Sequence, residues 1–174
     1  GLSHSSDAAL ADERLLSAQR ARRRMFVRGL SGIFGGLTVL ALAQMAAVQA
    51  PVLAMLASAV ALVGFAAAFW TSGRAQDSSL GAVILLATMQ VQYLVSASAV
   101  EELSEMGNTI IFSGISPLIA AATLNLRGTW GASLAAVLAV CALFAEKVLL
   151  GSNVTQVGRA LGPAFFFVLM GAVV

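Results

Sequence analysis

VLAMLASAVALVGFAAAFW, residues 52–70, contains no charged side chain, and its length decides the fold. A hydrocarbon layer about 30 Å thick takes about 20 helical residues at ~1.5 Å each to cross. Pro51 precedes the run and the polar stretch TSGRAQDSS, residues 71–79, follows it, so turn signals bound it on both sides. One membrane crossing is the reading.

The pattern repeats on either side, and six such spans are expected, at about 25–50, 52–70, 80–100, 109–126, 130–150 and 157–174. The fold class is therefore all-α: an integral membrane bundle of six transmembrane helices. Composition agrees, since 59% of residues are hydrophobic and 10% charged, against roughly 25% charged in an average soluble domain. A mean hydropathy of +0.91 excludes an ordinary water-soluble globule. The chain has room for one membrane domain, at 25–174, after a basic lead at 1–24.

The lead is expected to form a short amphipathic helix on the membrane surface, capped by Asp7, with Asp12 and Glu13 early and Arg20, Arg22, Arg23 and Arg24 late. It lacks the short apolar core and small-residue cleavage site of a signal peptide. Its arginines adjoin a span and have no interleaved aromatics, so nucleic acid is not expected as a partner. Lys and Arg resist translocation. With the N-terminus cytoplasmic, Arg20, Arg22, Arg23, Arg24, Arg28, Arg74 and Arg127 lie inside and only Lys147 and Arg159 outside. Both termini then face the cytoplasm, and the lipid partner is a bacterial inner membrane.

Lipid tails give apolar helices no hydrophobic reason to associate, so small residues mark contacts. Gly29, Gly32 and Gly36 stripe the first span, as a packing seam or as a face for a second copy; Ala54, Ala57, Ala61 and Gly64 stripe the second. Polar residues inside spans usually face protein or water. Gln90, Gln92, Tyr93, Ser96 and Ser98 make the third span the most polar, either as a cavity or as interhelical hydrogen bonds with Gln44 as a partner. Pro117 is expected to kink the fourth span near Ser113. RGT, residues 127–129, reads as a tight connection. Glu146 and Lys147 are expected at the interface, with Lys147 snorkelling to headgroups. Cys141, the one cysteine, is expected to be buried and inert. Glu101, Glu102, Glu105 and Asn108 form an acidic loop that could sense a cation or basic ligand, or simply be solvated.

Absences narrow the chemistry. The single histidine, His4, lies in the lead, and there is no P-loop, GxSxG or HExxH. Neither catalysis nor a metal or other cofactor is expected of these residues. Gly1 is not an initiator methionine and the chain stops within FFFVLMGAVV, so a fragment of a longer protein is expected.

The arginine-rich lead, the short-looped spans and the run ISPLIAAATLNLRGTWG, residues 115–131, resemble the N-terminal membrane sensor region of bacterial multi-span histidine kinases, type IV pilus sensor kinases among them, from about Arg20 to Val174. The resemblance implies an input module of a two-component system, a homodimer that relays a stimulus through span six to a cytoplasmic effector domain or response regulator. Glu101, Glu102, Glu105 and Asn108 would sense, beside a polar, kinked core of Gln44, Gln90, Gln92, Tyr93, Ser96 and Pro117. The rival expectations are a small transporter or channel-like subunit, with Gln90, Gln92 and Glu146 along its path, and a non-signalling anchor.

Overall fold

No proline occurs before Pro51, and the lead is rich in Ala, Leu and Arg, all strong helix formers. In the computed structural model, which describes residues 2–50, 52–74, 79–99, 114–151 and 153–173, the chain is accordingly one helix from lead to first apolar stretch: α1, Leu2–Ala47. This corrects the expectation of a separate surface helix. Asp7 lies inside α1 rather than capping it. A helix of 46 residues is ~69 Å long, so the arginine-bearing part projects along the axis of the span it continues.

α1 ends in a Schellman turn. Gln49 adopts a positive φ of 53°, its N–H reaches the Ala46 carbonyl at 3.4 Å, and the Ala50 N–H reaches Met45 at 2.9 Å. The chain reverses there into α2, Val52–Arg74. α2 outlasts its apolar run because Thr71 and Ser72 donate their hydroxyls back to the Ala67 and Ala68 carbonyls, at 2.8 and 2.7 Å, keeping the polar tail helical. α3, Ser79–Ala99, returns beside it. Close backbone approach sets this pair: a Cβ on Gly81 would lie 2.8 Å from the Ser72 Cβ and 3.1 Å from the Ala68 carbonyl, and one on Gly64 would collide with Thr88.

Beyond α3 the described chain resumes at a short helix, α4, Ile115–Thr123. Pro117 is its third residue, where a helix has no acceptor for an N–H, so it starts the helix instead of kinking one. α4 stops at Leu124, whose ψ of 173° is extended, and Asn125 caps α5, Leu126–Leu149, by accepting the Gly128 N–H at 2.9 Å. The expected connection at 127–129 is therefore the first turn of α5, and the break lies two residues earlier. α6, Val154–Val173, follows a short link and carries Pro163 in its interior, where the missing N–H leaves the Arg159 carbonyl without its helical donor.

The described residues contain no strand. Four helices are long and apolar enough to cross a membrane: Asp12–Ala47 within α1, Val52–Arg74, Ser79–Ser98 and Leu126–Leu149. Their outward side chains are apolar, with Leu53 77% and Leu149 86% exposed, as lipid-facing surface requires. Six crossings are not what these helices amount to. α4, at 9 residues, spans ~14 Å, about half the hydrocarbon, and residues 109–113 of the expected fourth span lie outside the described set.

Packing follows from small side chains, as expected where lipid replaces water. A first core unites α1 to α4 around Val27, Phe65, Leu85, Met89 and Ile119, with Ala61, Ala68, Ala82 and Ala120 letting the helices approach. Phe34 of α1 stacks on Phe65 of α2, centroids 5.9 Å apart. A second core joins the end of α3 to α5 and α6 through Ala97, Ala136, Val140, Leu143, Val157 and Leu161. Lys147, near the end of α5, reaches the carbonyl of Ser98, near the end of α3. These two helices therefore run in the same direction.

Candidate functional site

α3 carries the polar side chains that matter, and helical spacing sends them to different neighbours. Gln92 donates to Thr38 of α1 at 3.5 Å, and Thr38 donates in turn to the Phe34 carbonyl at 2.8 Å. Thr38 thus takes the place expected for Gln44, which is exposed on α1. Tyr93 is half-buried against the first core, and Ser96 is exposed. The expected polar set is therefore dispersed, with Gln92 making an interhelical hydrogen bond.

Gln90 is different. It lines a cavity of about 310 Å³ between α3, α4 and α5, walled by Val83, Leu86 and Ala87 on α3, Ser116 on α4 and Leu124 just after it, and Gly128, Gly131, Ala132 and Ala135 on α5. Both carboxamide atoms of Gln90 and the hydroxyl of Ser116 are sealed from the surface without a hydrogen-bond partner among the described residues. Ser116 is fully buried, beside the equally buried Pro117. Leaving such groups unmatched in apolar surroundings costs about 1–3 kcal/mol each. Two unmet polar residues in one apolar wall are the exception in this bundle.

Local sequence explains the cavity. Pro117 and Asn125 confine α4 to a short helix, while Gly128 and Gly131 give α5 no side chain beside it. A Cβ on Gly128 would press on Leu124 at 2.9–3.0 Å, whereas one on Gly131 would meet nothing within 4 Å. The missing bulk at Gly131 is the space. The arrangement can hold an uncharged molecule with hydrogen-bonding capacity, and among the described residues it presents no paired nucleophile and base.

At one end of the bundle lie the arginines. The Arg28 guanidinium sits 4.5 Å from the Phe69 ring centre and Arg74 sits 4.0 Å from that of Trp70. A groove of about 350 Å³ runs past Gln19, Arg22, Arg23 and Phe26 of α1 to Ala122 of α4. At the other end, Lys147 does not snorkel outward. It is 8% exposed, and its ammonium donates to the Ser98 carbonyl at 3.2 Å, where the negative end of the α3 dipole favours a cation.

Other expectations are corrected or lie outside reach. A Cβ on Gly29, Gly32 or Gly36 would meet nothing within 4 Å, so these make no close helix contact among the described residues, whereas Gly35 faces α2, 3.7 Å from the Phe65 Cβ. Cys141 is exposed, on a groove of about 300 Å³ between α5 and α6, because its helical position faces out from the second core. Glu101, Glu102, Glu105 and Asn108 lie outside the described residues. Among the described residues no three His, Cys, Asp or Glu side chains gather as metal ligands would. As one of several polar residues in the fourth span Ser116 earned no site role from the sequence, nor did the glycines of α5; a serine preceding a helix-starting proline opposite a glycine pair was the available signal. Compared with protein-family models, curated proteins and solved structures, the chain matches none.

Proposed function

We propose that this chain is the membrane-embedded sensory input module of a bacterial signal-transduction protein of the sensor histidine kinase type. The observation that carries the proposal is the cavity lined by Gln90 and Ser116, whose polar atoms have no hydrogen-bond partner among the described residues, because it lies beside the first core where α3, α4 and α5 come together. α1 to α3 form the frame. α6 packs chiefly on α5 and α4, the two helices that close the cavity. An occupant that fits one spacing of α3 against α5 better than another shifts their equilibrium, and α6 carries the shift to a cytoplasmic effector or response regulator.

In this reading the chain crosses the membrane six times with both ends cytoplasmic. Two observations support it. α3 and α5 run in the same direction, as six alternating crossings require of the third and the fifth. The charge bias puts Arg28 and Arg74 at one end of the bundle and Lys147 at the other. The outward Gly29, Gly32 and Gly36 face is the one we assign to a second copy in a homodimer. A transport path through Gln90 and Gln92 finds less support, because one lines the cavity and the other is engaged by Thr38 of α1.

The test is output from the full-length protein in cells. Gln90→Leu with Ser116→Ala should lock signalling at one level while reporter fusions map an unchanged topology. Output that still follows its stimulus would overturn the sensory role, and a C-terminal reporter active only outside would overturn the six crossings.

A further inference from the structure

We infer that the cavity between α3, α4 and α5 binds an uncharged amphiphile that bears a hydrogen-bond donor and acceptor on one edge, as a primary amide or an undissociated carboxylic acid does. This deepens the sensory reading and rests on it for the ligand's role, whereas the chemistry of binding stands on the cavity itself.

The class follows from what the wall leaves unmet. A carboxamide offers an acceptor oxygen and a donor nitrogen side by side, and at Gln90 both are without partners among the described residues. A hydroxyl alone meets only one of them well. An amide or carboxylic acid meets both in a cyclic pair, and the Ser116 hydroxyl, also unpartnered, can donate to the remaining lone pair of its carbonyl. Neither carboxamide atom is open to the cavity as it stands, so binding requires a change of the Gln90 rotamer that turns the carboxamide edge into the space.

The rest of the wall sets the body of the molecule. Val83, Leu86, Ala87, Leu124 and Ala135 are apolar, and among the described residues no charged side chain lines the space to balance an ion. The volume of about 310 Å³ amounts to roughly ten waters at ~30 Å³ each, room for about ten heavy atoms. An eight-carbon primary amide has this size. Ala87 and Ala135 are exposed on the lipid side, so entry is from the bilayer.

The experiment uses the whole chain in phospholipid nanodiscs with a photoactivatable diazirine analogue of octanamide, its adducts located by mass spectrometry. Adducts should concentrate on the cavity wall, around Val83, Ala87 and Ala135, and excess octanamide should compete. N,N-dimethyloctanamide, which lacks the N–H, should compete about tenfold less well, the worth of one buried hydrogen bond, and octane not at all. Gln90→Leu should reduce wall labelling by about tenfold or more. Gly131→Leu should abolish it by filling space now open at that position, without touching either polar group.

Equal competition by octane, adducts spread over outward residues such as Leu53 and Leu149, or undiminished labelling in both variants would overturn the assignment. An unchanged helical circular dichroism spectrum in either variant makes its result count. Binding is read here without any signalling output, so a bound amide that left the effector unmoved would refute the sensory role and leave the site standing.

Discussion

Gly81→Ala separates a bundle held by backbone approach from one held by the glycine stripe of its first span. The added Cβ would stand 2.8 Å from the Ser72 Cβ, 3.0 Å from the Ser72 nitrogen and 3.1 Å from the Ala68 carbonyl oxygen. Two of these are backbone atoms of α2 and cannot rotate away. α3 must therefore retreat by some tenths of an ångström at this end, loosening the contacts around Ala68 and Ala82, both fully buried. Overpacking of this kind costs about 1–3 kcal/mol. The better helix propensity of alanine returns up to about 1 kcal/mol, so the informative quantity is a difference. Gly32→Ala receives a similar propensity gain and meets nothing within 4 Å. Reversible unfolding by dodecyl sulfate in mixed micelles, followed by helical circular dichroism, should place Gly81→Ala about 1–3 kcal/mol below Gly32→Ala. A gap under about 0.5 kcal/mol would be ordinary surface behaviour and would refute the close approach of α2 and α3.

Three further outcomes can be measured in the same way. Gln49→Gly should stabilise the chain by about 1 kcal/mol, because Gln49 holds a φ of 53° that costs an L-residue about that much; a loss of stability would mean the turn is not left-handed. Asn125→Ala should cost about 1 kcal/mol by removing the cap on the Gly128 N–H, with faster amide exchange confined to the first turn of α5. Lys147→Met should cost about 1.5–3 kcal/mol, the worth of a hydrogen bond to a charged group, and should speed exchange at the end of α3. An exposed, snorkelling lysine would instead give almost no change.

Much of the bundle was legible because a membrane restricts the choices. Spans two, three and five differ from α2, α3 and α5 by only a few residues at their ends, since long uncharged runs have few other folds available in lipid. Boundaries set by local hydrogen bonding were harder to place. Thr71 and Ser72 look like loop residues yet prolong α2 through their own hydroxyls. Asn125 was read as part of a span although it caps the next helix. The arginine-rich lead looked separate because its polarity changes at Met25, but polarity does not break a helix and no glycine or proline intervenes there. Pro117 was read as a kink because the start of α4 is invisible without its neighbours. The candidate site was half legible: Gln90 stood out as a polar residue in a span, but so did Gln92, and only their partners tell them apart.

What the order of residues determined alone is the class of solvent, the helical class of the fold and the clustering of arginine toward one end. These follow from segment length, side-chain transfer energy and charge, which are properties of single residues and short runs. Tertiary structure decided which glycines are contacts, that Lys147 turns inward to Ser98, that Gln92 finds Thr38, and that Gln90 and Ser116 line one cavity without partners among the described residues. Those are relations between residues on different helices. In lipid, no hydrophobic force ranks one helix face above another, so the outcome depends on backbone fit and on which polar group finds a mate.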